Sequence, residues 1–418
     1  MNAAAAKWVT PTLDQACEIN PRDPSPQSQM SLVSFVPMAA VSDTEGVVLE
    51  HATRPFSEVA KGYTRFREQD VIFAKITPCM ENGKIAVADG LHDGIACGST
   101  EFHVLRSRGS VMPKYLWYFL RQKTFRVEAE RHMAGAVGQR RVPVSYLRQV
   151  RIPLPVVAVQ ERMVSKIDGL LGHSKIARNE LERIPRLVER YKQALLKLAF
   201  DGKLTTDWRL RSQVSMDEWH SKPLGTIADI GTGATPKRGH SLYYKDGTIP
   251  WVTSGAVNQP RVTAAEEFIT EAALRETNCK VFPVGTLLMA MYGEGQTRGR
   301  IAVLDIAAAT NQALAAIRVR NETEISTSFV LWFLRANYLE LRMRAAGGVQ
   351  PNLNLSIIKS IVIPVPPPEE QLEIVRRIEQ SIGHVESLLN EAVRASTLVN
   401  RLDEATLAKA FKGELPVA

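Results

Sequence analysis

The feature that most constrains this 418-residue chain is that a large part of it is written twice. At a fixed offset of 211, residues 151–204 align without a gap onto residues 362–415, from "RIPLPVVAVQERMVSKID" and "VIPVPPPEEQLEIVRRIE" to "AFDGKL" and "AFKGEL". Twenty of those 54 positions are identical, among them Ile152, Gln160, Ile167, His173, Leu187, Val188, Phe200 and Gly202. Internal duplication explains such a match and composition does not, so the fold must accept two copies of one unit.

Each copy opens with prolines and a polar turn, where Pro suits the first helical position and Glu369 and Glu370 suit the positive end of a helix dipole. Each closes on a glycine, Gly202 or Gly413, in the place of a helix C-cap. The run between is about 40 residues, roughly 60 Å if wholly helical, longer than a usual globular helix. Its apolar residues recur every 3.5 positions, the period of a coiled coil. In the first copy the expected seam is Ile167, Leu170, Ser174, Ala177, Leu181, Ile184, Val188, Tyr191, Leu195 and Leu198. In the second it is Ile378, Ser381, Val385, Leu388, Ala392, Ala395, Val399, Leu402 and Thr406, with Lys409 out of place. Such a helix needs a partner. The net charge of +5 over residues 151–204 and −3 over 366–418 makes each copy the natural partner of the other, paired antiparallel. The alternative is that each helix packs only on its own domain. Pro185 should kink or break the first helix.

The blocks preceding the helices, residues 1–150 and 205–361, read as divergent copies of one domain. "YLWYFLR" at Tyr115 parallels "FVLWFLR" at Phe329, and "GKIAVAD" at Gly83 parallels "GRIAVLD" at Gly299, with an offset drifting between 211 and 216. Short β-rich runs such as "DVIFAKI" and "EFHVLR", then a helix around Tyr115 to Arg131, predict a mixed α+β domain with a curved sheet. The division is 1–150, a helical spacer 151–204, a second domain 205–361 and a second spacer 362–418. The copies differ most in polar loops: "KITPCMENGK", "CGST" and "GAVGQRRVP" against "GTGATPKRGHSLYYKDG", "MYGEGQTRGR", "TNQ" and "GGVQPNLN". Gly lets backbone approach a phosphate, Arg and Lys pair with phosphate or guanine, and Asn and Gln can read adenine.

The overall net charge of +8 points mildly to an anionic partner. No apolar run is long enough to span a bilayer and "MNAAAAKWVTP" has no secretory character, which places the protein in the cytoplasm. Cys17, Cys79, Cys97 and Cys279 are scattered and suggest neither a disulfide frame nor a metal site. Catalytic signatures are absent: no phosphate-binding GxxxxGK[ST], no [DN]PP[YF] of an adenine methyltransferase, no HExxH or GxSxG. His173 and His384 hold equivalent helix positions and read as cap or seam residues, not as a catalytic pair.

Two loop-divergent domains, each followed by "IPLP…Q" or "IPVPPPEEQ…I", a long helix and "AFxGxL", resemble the specificity subunit of type I restriction-modification systems. "FAKITPCMENGKIA", "GAVGQRRVP" and "GATPKRG…IPWVTSG" are similar to phrases of that family's target-recognition domains, and the resemblance covers essentially the whole chain. It implies a non-catalytic subunit without a cofactor of its own. Each domain would read one half of a split sequence in double-stranded DNA, the paired helices setting the gap. Two modification (methyltransferase) subunits carrying S-adenosylmethionine would dock on it, and restriction subunits using ATP and Mg would join them. The candidate DNA contacts are Lys75, Asn82, Lys84, Thr100, Gln139, Arg140 and Arg141 in the first domain. In the second they are Lys237, Arg238, Tyr292, Gln296, Arg298, Arg300, Asn311, Gln312, Gln350 and Asn352. Two other classes compete: a coiled-coil adaptor that binds proteins and no specific DNA, and a methyltransferase in its own right, which the missing signature disfavours.

Overall fold

The structure is a computed structural model and describes residues 8–23, 28–49, 51–136, 138–292, 297–346 and 352–416. The chain divides into two compact units, residues 1–182 with 392–418, and residues 183–391. Each unit therefore takes its own domain together with a piece of both long helices.

In the first unit, an antiparallel sheet runs in the order Cys17–Ile19, Phe102–Ser107, Val71–Ala74, Ile85–Val87. A second sheet runs Ala52–Pro55, Leu32–Val36, Ile95–Gly98, Thr64–Arg67, with its central pair parallel. The second unit repeats this topology. Ala228–Thr232, Leu314–Val319, Leu287–Ala290 and Ile301–Leu304 form the first sheet, extended by Arg261–Val262. Glu267–Ile269, Ile249–Val252, Ala308–Thr310 and Val281–Phe282 form the second, again with a parallel central pair. Both units are α+β.

The central strands are buried on both faces, and the period of two sorts their side chains. Val71 and Phe73 enter a core shared with Leu116 and Leu120 of the helix Pro113–Arg121, whereas Ile72 and Ala74 enter one shared with Val36 and Phe66. Leu287 and Met289 face Phe329 and Leu334 of the helix Thr327–Ala336, and Leu288 and Ala290 face Val252 and Val257. The helix expected from Tyr115 to Arg131 is two helices, Pro113–Arg121 and Lys123–Arg131, because Gln122 leaves helical backbone with ψ at 136° and turns its amide onto Phe119 O.

The long helices run over Val157–Phe200 and Pro368–Phe411. Both close on the same C-cap: Lys203 N donates to Leu198 O and Gly202 N to Ala199 O, and Glu414 N donates to Lys409 O and Gly413 N to Ala410 O. Gly202 and Gly413 sit at φ +72° and +75°, a conformation that favours glycine at this cap. The "IPLP" and "VIPV" phrases ahead of the helices return each chain to the start of its own domain. Leu154 bridges Val9, and Val362–Val365 pairs with His220–Pro223.

In both units the helix segments run antiparallel. Met163, Val164 and Ile167 share a core with Leu407, Ala410 and Phe411, and Arg178 pairs with Asp403. Leu196, Ala199 and Phe200 share one with Ile374, Val375 and Ile378, and Lys192 pairs with Glu386 at 2.8 Å. Most of the expected seam is covered, from Ile167, Ser174, Leu181, Ile184, Val188 and Leu195 to Ile378, Val385, Ala392, Val399 and Thr406, and it departs from expectation at four positions. Tyr191, Leu198, Leu388 and Leu402 are 45%, 44%, 56% and 59% exposed. The inward position is in each case the next residue, Lys192, Ala199, Leu389 or Asp403, all more covered than their predecessors. At those four positions the seam steps by one residue, and the ion pairs Arg178–Asp403 and Lys192–Glu386 use two of the inward places. Pro185 does not break its helix. It lies on the exposed face, where the lost backbone hydrogen bond disturbs no packing, while Ile184 and Val188 beside it are covered. His173 and His384 are exposed and belong to no seam. Among the described residues, no helix is long and apolar enough to cross a membrane.

Candidate DNA-recognition interface

The sheet topology gathers the polar loops at one end of each unit. In the first, Ala74 lies opposite Phe102, so the chain segments beyond them meet. Lys75 N donates to Glu101 O at 2.8 Å, Val142 N to Lys75 O at 2.8 Å and Thr77 N to Arg140 O at 3.1 Å, and Ile76 bridges Arg141. Three loops separated in sequence thus form one surface carrying Lys75, Thr100, Gln139, Arg140 and Arg141. Asn82 is exposed on the neighbouring turn.

Two side chains behave differently from expectation. Lys84 turns inward, its ammonium donating to Met38 O at 3.1 Å and Val41 O at 2.7 Å, because those carbonyls lack strand partners at that corner. It is a structural clamp here. Arg141 does not stand free. Its Nε donates to Glu101 Oε2 at 2.9 Å, its Nη2 to Glu101 Oε1 at 2.7 Å and its Nη1 to Gln139 O at 3.0 Å. The hydrogen bonds from Arg141 hold the Glu101 carboxyl below the usual range. Behind them His103 is buried, its Nε2 on Val142 O at 2.8 Å and its Nδ1 on Asn20 Nδ2 at 3.1 Å; burial lowers its pKa and keeps it neutral.

In the second unit, Ala290 lies opposite Leu314, and the equivalent connections recur: Met291 N donates to Ala313 O at 2.8 Å and Leu353 N to Met291 O at 3.2 Å. Here the surface is rich in amides and hydroxyls. Thr235 Oγ1 donates to Gln312 Oε1 at 2.5 Å, Thr297 Oγ1 to Asn258 Oδ1 at 3.1 Å, and Asn311 Oδ1 accepts from Ala313 N at 3.1 Å. Arg300 approaches Asn258 O at 3.5 Å, Tyr292 is exposed, and Arg298 and Asn352 are half-buried. Gly233 must be glycine, since a Cβ would strike the Thr310 carbonyl. In the loop that follows, Lys237 is exposed, and Arg238 lies over Trp251 and Tyr244 with its two terminal nitrogens on the Glu267 carboxylate. Gln296 and Gln350 lie outside the described residues. Glu101, Thr235, Asn258 and Glu267 escaped the sequence reading. They orient other side chains, and only Thr100–Glu101 adjacency hinted at one of them.

Residues 6–186 and again 216–393 match the type I restriction modification DNA specificity domain. The chain belongs to that family. Each unit contributes most of one specificity domain. Among curated relatives, the StySPI specificity subunit of Salmonella potsdam is 29% identical over 333 residues, which is 77% of this chain and 68% of that one. The EcoAI specificity subunit of Escherichia coli is 37% identical over 167 residues, 40% of this chain but 28% of the relative. The fold also matches solved structures. An HsdS subunit from Thermoanaerobacter tengcongensis aligns at a TM-score of 0.70 and 22% identity over 98% of both chains. A chain from a structural study of type I R-M complex assembly aligns at 0.77 and 23%, over 98% of this chain and 99% of that one.

Proposed function

We propose that this chain is the DNA sequence-specificity subunit of a type I restriction-modification assembly. The observation that carries the reading is the duplication itself: two specificity domains of one topology, each with its polar loops gathered at one sheet end, joined to duplicated antiparallel helices. Each domain reads one half of a bipartite double-stranded DNA site, and the helices fix the unread gap between the halves. The chain supplies recognition, and partner subunits supply chemistry. Two modification subunits bind S-adenosylmethionine and methylate adenine, and restriction subunits bring ATP and Mg. The assembly works in the cytoplasm. The division into domains 1–150 and 205–361 and spacers 151–204 and 362–418 follows the roles, with reading assigned to the former and spacing to the latter. The contact set is Lys75, Asn82, Thr100, Gln139, Arg140 and Arg141 in the first domain, with Lys237, Tyr292, Arg298, Arg300, Asn311, Gln312 and Asn352 in the second.

A docking face for two identical partners is available on the helices. Leu187 and Tyr191, 57% and 45% exposed, repeat at the offset of 211 as Leu398 and Leu402, 61% and 59% exposed. Scattered exposed leucines are ordinary, but the same pair outward in both copies fits two copies of one partner.

The test is to express the chain with its modification partner in a host free of adenine methylation and to map methylated adenines. A split sequence with a constant gap is the expected result. Methylation without sequence preference would remove the reading in favour of an adaptor that binds proteins alone.

A further inference from the structure

Arg141, Arg238 and Arg261 each meet a carboxylate through two nitrogens, whereas Arg140 reaches Glu130 through one at 3.6 Å, and the way each is held separates their roles. Arg238 spends both terminal nitrogens on Glu267 and lies over Trp251, so no fork remains at its tip. Arg261 gives Nε and Nη2 to Asp305, but that pair flanks the opposite end of the sheet, where Asp305 N bonds Val262 O. Arg141 combines the useful orientation with the useful place. Glu101 occupies its Nε–Nη2 edge, and the Gln139 carbonyl, two residues back along its own chain, takes one hydrogen of Nη1. Of five donors, three are taken, leaving one hydrogen on each of the two terminal nitrogens for a further pair of acceptors. The side chain is 42% exposed at the loop surface.

Two acceptors side by side are what guanine shows in the major groove, O6 and N7. A phosphate could also take the fork, yet phosphate binding draws on net positive charge, and the carboxylate of Glu101 cancels that of Arg141. Holding a guanidinium rigid and neutralised gains little toward a backbone and much toward a base edge. We propose that Arg141, oriented by Glu101, reads a guanine in the half-site of the first domain. The second domain carries no counterpart, since the equivalent positions are Asn352 and Ala313. Guanine reading by this device belongs to one half-site only. The inference rests on the specificity-subunit reading.

The test uses the full chain assembled with its modification subunits. Its site is first mapped by methylation, and binding is then measured on duplexes substituted one base pair at a time. R141A and R141K should each lower discrimination at a single guanine of one half-site by about 5- to 150-fold, leaving the other half-site's preferences intact. E101Q should relax the same position, because the fork loses its holder. Lysine keeps the charge but not the fork, so rescue by R141K, or uniform weakening at every base pair, would mean a phosphate contact and overturn the proposal. A responding half-site without guanine on either strand would overturn it as well. In both cases sequence-specific methylation persists and the subunit reading stands, whereas methylation without sequence preference in the unsubstituted complex defeats that reading itself. Retained reading of the second half-site reports that the variants remain folded.

Discussion

Gln160 and Gln371 hold the same groups in the two units, while the residues just before them, Val159 and Glu370, share nothing. Gln160 accepts from Met112 N at 2.8 Å and donates to Ser110 O at 2.9 Å and Pro155 O at 2.8 Å. Gln371 accepts from Ser326 N at 2.9 Å and donates to Glu324 O and Pro366 O, both at 2.8 Å. Each glutamine ties a long helix to the approach of its domain's own helix, where backbone groups have no helical partner. Glu370, by contrast, is fully buried and accepts from Thr205 Oγ1 at 2.6 Å, Trp219 Nε1 at 2.8 Å and Arg209. It clasps the segment after the first long helix to the start of the second, a task that Val159, half-buried against an apolar core, does not perform. A duplicated frame keeps the residues that answer backbone geometry and changes those that answer a local connection. The recognition ends follow the same rule, the Lys75–Glu101 and Met291–Ala313 backbone bonds being shared and the side chains not.

That contrast can be broken most forcefully at Glu370. Glu370→Ala leaves Arg209 buried without its carboxylate and should cost the second unit about 3–5 kcal/mol, against about 1 kcal/mol for Val159→Ala. Chemical denaturation, with hydrogen exchange locating the loosened segment at residues 203–219, measures both. Equal costs would show that the clasp is not what separates the units. Gln160→Ala and Gln371→Ala should each cost about 1–3 kcal/mol and agree closely, since each orphans one N–H and two carbonyls. A large disparity between the two would argue against a common frame.

Acid should separate the units next. Arg377 donates to Leu204 O at 2.8 Å and to the carboxylates of Asp207 and Glu373 at 2.6 Å each. The hydrogen bond from Arg377 to Asp207, and those from Arg376 and Arg377 to Glu373, hold both acids at about 2. Because the folded values lie below the ordinary ones, this stabilisation is complete above about pH 4–5 and lost as pH falls toward 2. The first unit has Arg162 and Lys166 at the equivalents of Glu373 and Arg377 and lacks the cluster. Brief pepsin digestion along an acid titration should therefore open the chain near residues 204–212 and 373–377 before it opens residues 162–166, the equivalent start of the first long helix. The smallest effect on stability is expected at the outward leucines. Leu187→Asp or Leu398→Asp should shift stability by no more than about 0.5 kcal/mol, yet each should drop the modification subunits retained from two to one in native mass spectrometry. Retention of both in either variant would remove this face as the docking site.

Much of this was legible in the chain. Exact spacing revealed the duplication, the 3.5 period with Gly202 and Gly413 revealed the long helices, and "YLWYFLR" against "FVLWFLR" revealed a repeated domain. Those features are local or periodic, and backbone sterics and hydrogen-bond geometry read them directly. The phase of the helix seam was not legible at Tyr191, Leu198, Leu388 and Leu402. A one-residue shift turns a helix by about 100°, and which stripe faces inward depends on what stands opposite. Nor could sequence show that Lys84 would reach back to Met38 O and Val41 O, or that Glu101 would meet Arg141 forty residues on. The sequence by itself determined the repeat, the element types and the gathering of polar residues in loops. Only the tertiary structure decided which charges pair, because pairing is settled by distances between segments that the linear order does not encode.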